Sequence, residues 1–248
     1  VRSIACNPST GQRHGRRCHV SVILKAKPAT AAEIAAQLTE AIHEHRLQPG
    51  AKLREDEVCD IFQVSRTIVR QALHSLEHKG LVTILRNKGA FVAKPSLKEA
   101  REVFETRSLI EPAMARAAAL RATPHDIAFL EAHMKAEQDA IDREEVGPAL
   151  KLSGDFHVQI ARIADHHLIE TLLKQLVARS ALVIALYWRR RNALCDSSSH
   201  SSLVNALRDG DADNAEEIMK GHLLDLLMQL DLRDSPTGPV SLRDALKK

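Results

Sequence analysis

The chain has 248 residues, 44% of them hydrophobic but only 3% aromatic, with a formal net charge of +3. It is long enough for two domains with cores of their own, and no apolar run reaches the roughly 20 residues of a membrane-spanning helix. Its four cysteines, Cys6, Cys18, Cys59 and Cys195, lack CxxC spacing, which argues against a structural zinc ribbon and for reduced thiols in a cytoplasmic protein.

Residues 1–28 mix Pro, Ser, Gly, His and Arg without periodicity and lack a signal-peptide core. A flexible basic arm is expected there. From Ala31 to His45, Ile34, Leu38, Ala41 and Ile42 recur at helical spacing, and Pro49-Gly50 breaks the run. A short helix follows over 55–62, with Val58, Ile61 and Phe62 expected to face inward. Gln63-Val64 is the turn before the next helix, which begins at Ser65, a suitable N-cap whose hydroxyl is expected to accept an amide of the first turn. Val69, Leu73 and Leu76 face the core of that helix, while Arg66 and Arg70, four apart, share the opposite face. Gly80 ends it. Residues 81–85 and 90–93 read as two strands joined by the basic turn Arg86-Asn87-Lys88-Gly89.

Three helices and a hairpin make a winged helix-turn-helix over residues 29–95. Its third helix has a polar N-terminus and two arginines, suited to entering the major groove of duplex DNA N-terminus first. Arginine grips phosphate or reads guanine bidentately, and a basic hairpin tip suits phosphates. The expected DNA contacts are Arg54, Ser65, Arg66, Thr67, Arg70, Asn87, Lys88 and Gly89.

Residues 39–95 resemble the DNA-binding domain of the GntR family of bacterial transcription regulators. The matching pieces are Leu47-Gln48-Pro49-Gly50, Leu53-Arg54-Glu55, Val64-Ser65-Arg66-Thr67, Val69-Arg70, Ala72-Leu73, Leu76, Gly80-Leu81-Val82 and residues 87–92. Ile68 stands where many members carry proline, Gln71 where many carry glutamate, and Asp56 where many carry an arginine that touches the DNA backbone. Arg54 is the nearby cation that can stand in for the last.

After a short linker at Lys94-Pro95-Ser96 the pattern is helical, with helices expected over 97–121, 124–142, 146–164, 167–191, 198–209 and 212–232. The result is an antiparallel bundle of six or seven helices in a domain of residues 96–233, followed by a loose tail over 234–248. Residues 1–95 carry 15 Lys/Arg against 8 Asp/Glu, and the rest of the chain 20 against 24. A basic DNA-binding part joined to an acidic sensor part fits that asymmetry.

This domain order resembles the FadR-like subgroup of the GntR family, whose C-terminal part is the FCD domain. The local matches are residues 107–111 with the small-residue run from Ala113 to Ala119, Phe156-His157, His200, Gly210-Asp211 with Ala215, and His222. The resemblance implies a bundle that dimerises and binds a small effector, often an organic acid held near a metal. It implies His157, His200 and His222 as ligands of a divalent ion, and imidazole suits Zn²⁺ or Ni²⁺. The subgroup's fourth ligand is an aspartate four residues before the first histidine; here that position is Ser153, and Asp155 points about 200° away from His157 on a helix. The resemblance also gives Arg107 to an effector carboxylate, while an i,i+4 ion pair with Glu111 is the competing reading.

The expectation is therefore a homodimeric, ligand-responsive repressor that binds an operator in double-stranded DNA and is not an enzyme. A metal-dependent hydrolase on the bundle is the alternative that three histidines and an open position allow, although no HExxH pattern accompanies them. An architectural DNA-binding protein without effector is the other.

Overall fold

The computed structural model describes residues 29–188 and 197–233. The expected N-terminal arm, the tail, the Arg189-Arg190-Arg191 cluster and Cys6, Cys18 and Cys195 lie outside the described residues. The fold is mostly helical, with a winged helix-turn-helix followed by an antiparallel helical bundle.

The first domain is built from α1 (Ala31–His43), β1 (Lys52–Leu53), α2 (Glu55–Phe62), α3 (Arg66–His78), β2 (Val82–Leu85) and β3 (Gly89–Val92). Thr30 and Glu33 cap α1 reciprocally, satisfying amides that a helix start leaves free. The apolar stripe of α1 (Ile34, Leu38 and Ile42) meets Val69, Leu73 and Leu76 of α3 in one buried cluster. α3 stops where Lys79 caps it and Gly80 turns left-handed at φ +71°, a conformation glycine adopts without a Cβ penalty.

Two expectations fail locally. Ile61 is 73% exposed. Val58, Cys59 and Phe62 define the inward arc of α2, and the 100° step per residue puts Ile61 beyond its edge. The two-residue strand β1 was not anticipated. It pairs antiparallel with β3 through Lys52–Phe91 and Leu53–Ala90, making a three-stranded sheet in the order β1-β3-β2.

The second domain contains α4 (Leu97–Ala119), α5 (Pro124–Asp142), α6 (Val146–Ile163), α7 (His167–Tyr187), α8 (Ser197–Asp209) and α9 (Ala212–Met228). Ser96 with Glu99 and Thr123 with Asp126 form capping boxes at α4 and α5, so the short linker ends directly in a helix start. Scarce aromatics leave a core of Ala, Leu, Val and Ile around Phe104 and Phe156. Ala178 and Leu182 of α7 instead belong to the core of the first domain, so the two domains share packed surface.

Candidate DNA face and metal and effector site

The first turn of α3 presents Ser65, Arg66 and Thr67 to solvent, with Arg70 one turn on. Ser65 is the N-cap, in an extended conformation, but its hydroxyl makes no capping hydrogen bond. That corrects the expected cap and leaves the hydroxyl to solvent or to a phosphate. Arg70 Nε donates to both oxygens of Glu55 at 3.0 and 2.9 Å, tying α3 to α2. Arg66 carries no such tether among the described residues and is fully outside. Arg54, the N-cap of α2, lies 3.6 Å from Glu57 and is 60% exposed. At the wing, Asn87 takes a left-handed turn at φ +61° and Gly89 one at +94°, and Arg86 through Gly89 are all exposed. The predicted DNA residues thus fall at three places, the N-termini of α2 and α3 and a basic hairpin tip.

Inside the bundle, His157 (α6), His200 (α8) and His222 (α9) come together, with ligand atoms all within 4.8 Å of one another. The three are 2%, 1% and 7% exposed. His157 Nε2 and His222 Nε2 are 3.3 Å apart. Two nitrogens each about 2.0–2.1 Å from a tetrahedral ion are separated by about 3.3–3.4 Å, so the spacing fits one shared ion. His200 Nε2 is buried without a hydrogen-bond partner among the described residues.

Two glutamates prepare this site: Glu111, expected only as an ion-pair partner of Arg107, and Glu137, not anticipated at all. Glu111 of α4 accepts a hydrogen bond from His157 Nδ1 at 2.6 Å, and Glu137 of α5 accepts one from His200 Nδ1 at 3.2 Å. A neutral imidazole that donates through Nδ1 has a bare lone pair at Nε2, the form that binds a metal. Burial pushes the Glu111 carboxyl up, but Arg107 and His157 outweigh it and hold it at about 2, so it is an acceptor only. Burial, reinforced by neighbouring cationic groups such as Arg107 and opposed by Glu111, holds His222 at about 2, and burial also lowers His157 against the pull of Glu111. Both shifts favour the neutral ring, the form that ligates a metal. Phe156 stacks on the His200 ring at 4.2 Å and fixes its plane. The residues present fit a divalent ion of the zinc type.

Arg107 reconciles its two competing readings. Its Nε donates to Glu111 at 2.5 Å and its Nη1 to Ser180 at 3.2 Å, so the i,i+4 ion pair is made. Its Nη2 is buried and has no partner among the described residues. Arg107, Ser153 and His157 line one small cavity. Ser153 sits one helical turn before His157 on α6 and is buried, so the hydroxyl occupies the wall where a carboxylate would add a charge. Asp155 turns away and pairs with Lys151 at 3.0 Å. His166 is the N-cap of α7 and His167 is exposed; neither reaches the site.

Comparison with known proteins identifies both domains. Residues 30–92 match the family described as "Bacterial regulatory proteins, gntR family", and residues 102–225 match "FCD domain". The chain is 31% identical to the HTH-type transcriptional repressor RspR of Escherichia coli over 73% of this chain and 79% of that protein. It is 32% identical to the galactonate operon transcriptional repressor of the same organism over 68% and 82%. The nta operon transcriptional regulator of Aminobacter aminovorans is 26% identical over 72% and 84%. The same fold is seen in E. coli McbR/YncC (TM-score 0.73, 18% identity, 81% of this chain and 96% of that one). It recurs in a putative GntR transcriptional regulator from Rhodococcus sp. RHA1 (TM-score 0.71, 23% identity, 80% and 96%). Among the described residues no helix is long and apolar enough to cross a membrane. With both domains matched in order, the chain belongs to the gntR family of bacterial transcription regulators, in the FadR-like group that carries a C-terminal FCD domain.

Proposed function

We propose that this regulator is a cytoplasmic, homodimeric repressor whose operator binding is set by a small carboxylate effector held beside a divalent metal. Residues 29–95 form the DNA-binding unit and residues 96–233 the sensing and dimerising unit. The observation that carries this reading is the pairing of two unmet needs in one buried place. Three buried imidazoles converge, and Arg107, which lines the adjoining cavity, has a buried Nη2 without a hydrogen-bond partner among the described residues. Buried polar groups normally have partners, and a buried ion pair is a poor device for stability. Such an arrangement is suited to a ligand.

In this reading His157, His200 and His222 hold Zn²⁺ or Ni²⁺, and Ser153 contributes no charge. An effector carboxylate would pair with Arg107 beside such an ion. Arg66, Thr67 and Arg70 read the major groove, while Arg54, Ser65 and the wing residues Asn87, Lys88 and Gly89 position the domain on phosphates. A single winged helix covers a small half-site, so two copies on a palindrome are expected. The relatives whose names state a repressing role support the same sign of regulation.

Selection of a bound duplex from a random pool supplies the operator. Anisotropy with that duplex then tests whether carboxylates added to the Zn²⁺-loaded protein change its affinity, and light scattering tests the dimer. Affinity indifferent to every carboxylate and to Zn²⁺, or a monomer on DNA, contradicts the proposal.

A further inference from the structure

The cavity beside Arg107 is not enclosed by the bundle alone. His43 and His45, at the C-terminal end of α1 in the DNA-binding domain, form part of its wall, facing Ser153 and His157 of α6 and Ser180 of α7. The two domains meet closely at this point. His45 adopts a left-handed conformation at φ +55°, and its Nε2 hydrogen-bonds the Ala181 carbonyl of α7 at 2.9 Å. Gly147 of α6 lies directly against the Glu44 backbone, and any side chain there would collide with it.

His43 Nε2 is buried and, like Arg107 Nη2, has no hydrogen-bond partner among the described residues. One orphaned nitrogen therefore comes from each domain, and both residues line the same cavity. An occupant that satisfies only Arg107 leaves the other penalty in place.

We propose that the effector is read by both domains at once. One carboxylate oxygen takes Arg107 Nη2, and a second oxygen takes His43 Nε2, so the bound ligand joins α1 to the bundle. This inference rests on the effector site proposed above, and it adds a contact that places the DNA-binding domain inside the ligand's first layer of neighbours.

Size gives the contact a consequence. The cavity measures about 30 Å³, more than the roughly 10–15 Å³ that one water needs and far less than the roughly 300 Å³ at the low end of small-molecule sites. A ligand larger than acetate presses on the residues that line it. The walls from α4, α6, α7 and α9 are continuous with the packed bundle core. The end of α1 is the wall that belongs to the DNA-binding domain, so a ligand that presses on it bears on how that domain sits against the bundle. α1 packs on α3, so moving its end re-aims the recognition helix. Ligand size and DNA geometry are thereby linked, and by linkage DNA binding changes ligand affinity by the same factor.

Acetate, the smallest suitable probe, tests the contact on the full chain. In ¹⁵N-histidine-labelled protein, acetate should shift the His43 ring resonances along with those of the bundle histidines. His43→Leu, which keeps volume and removes the nitrogen, should weaken acetate about tenfold, the worth of one hydrogen bond to a charged group. His43→Gln should recover part of that loss, and Zn²⁺ affinity should be the same in all three proteins. If the wild-type His43 resonances do not move while those of the bundle histidines do, or if His43→Leu binds acetate as wild type does, the two-domain reading is wrong and the bundle site survives. If acetate moves no histidine, the effector site itself is wrong.

Discussion

One carboxylate, Glu111, joins the metal-ligand candidate His157 to Arg107. Its Oε2 accepts from His157 Nδ1 at 2.6 Å, and its Oε1 accepts from Arg107 Nε at 2.5 Å. All three residues are buried. The ring that would hold the ion and the guanidinium that would hold the effector are thus oriented by the same group, and neither can turn without disturbing the other.

Replacing Glu111 therefore has two expected effects. Glu111→Gln no longer forces His157 to donate through Nδ1, and loss of such a partner typically costs 10–100-fold in metal affinity. It also leaves Arg107 as a buried charge without its counterion, a loss of about 3–5 kcal/mol. Calorimetric Zn²⁺ titration and urea unfolding read the two separately. A folded Glu111→Gln protein with unchanged Zn²⁺ affinity contradicts the assigned role.

Zinc should stabilise the wild-type protein through mass action. Free Zn²⁺ at a hundred times the dissociation constant adds about 2.7 kcal/mol, provided the unfolded chain does not compete for it. His200→Ala and His222→Ala should abolish most of that gain, whereas His167→Ala, on the surface, should keep it. Thermal melts with and without Zn²⁺ decide; equal gains in all four proteins contradict the site.

At the DNA face, Arg66→Ala should cost about 1–3 kcal/mol against the preferred operator and relax discrimination there. Lys88→Ala at the wing should weaken all sequences alike and reduce the salt slope by about one. Arg70→Ala should also lose specific affinity, with an added effect on stability because Arg70 holds Glu55. Competition binding against unrelated duplex, measured over a range of salt, separates reading from phosphate contact. Near-wild-type specificity for Arg66→Ala contradicts the orientation of α3.

Much of the fold was legible because its signals are local. Helix ends followed Ser96, Thr123, Pro124 and Gly80, whose capping and turn chemistry does not depend on distant contacts. The histidine trio was legible only through family spacing. Glu137, and the bond of Glu111 to His157, were not, because an acidic residue on a helix reads as a solvated face, and only the packing of α4 and α5 against α6 and α8 turns them inward. β1 carries too few residues for a period to appear, and it exists because β3 offers an edge. Ile61 misled because α2 is short and its apolar residues outnumber its inward positions.

The domain contact should weaken in mild acid. Burial lowers the pKa of His43, opposed by Asp155 and Glu40 and reinforced by Lys151 and His45. Burial lowers that of His45 as well, opposed by its bond to Ala181. Both folded values lie below the unfolded value of about 6.5. The unfolded chain then binds more protons, so stability is fully present above about pH 6.5 and falls as pH drops below it. Urea midpoints should decline from pH 7.5 to 5.5, and less steeply in a His43→Leu, His45→Gln double variant. Parallel declines contradict this assignment.

Zinc K-edge X-ray absorption on the 248-residue chain, loaded with one equivalent of Zn²⁺, reads the ligands of the ion themselves. The expected first shell has three imidazole nitrogens at about 2.0–2.1 Å, completed by light oxygen scatterers, and its oxygen part should change when acetate is added. Loss of one imidazole in His222→Ala would locate the shell in the bundle. A sulfur scatterer from a cysteine, or a shell untouched by substitution of His157, His200 or His222, would contradict the metal and effector site.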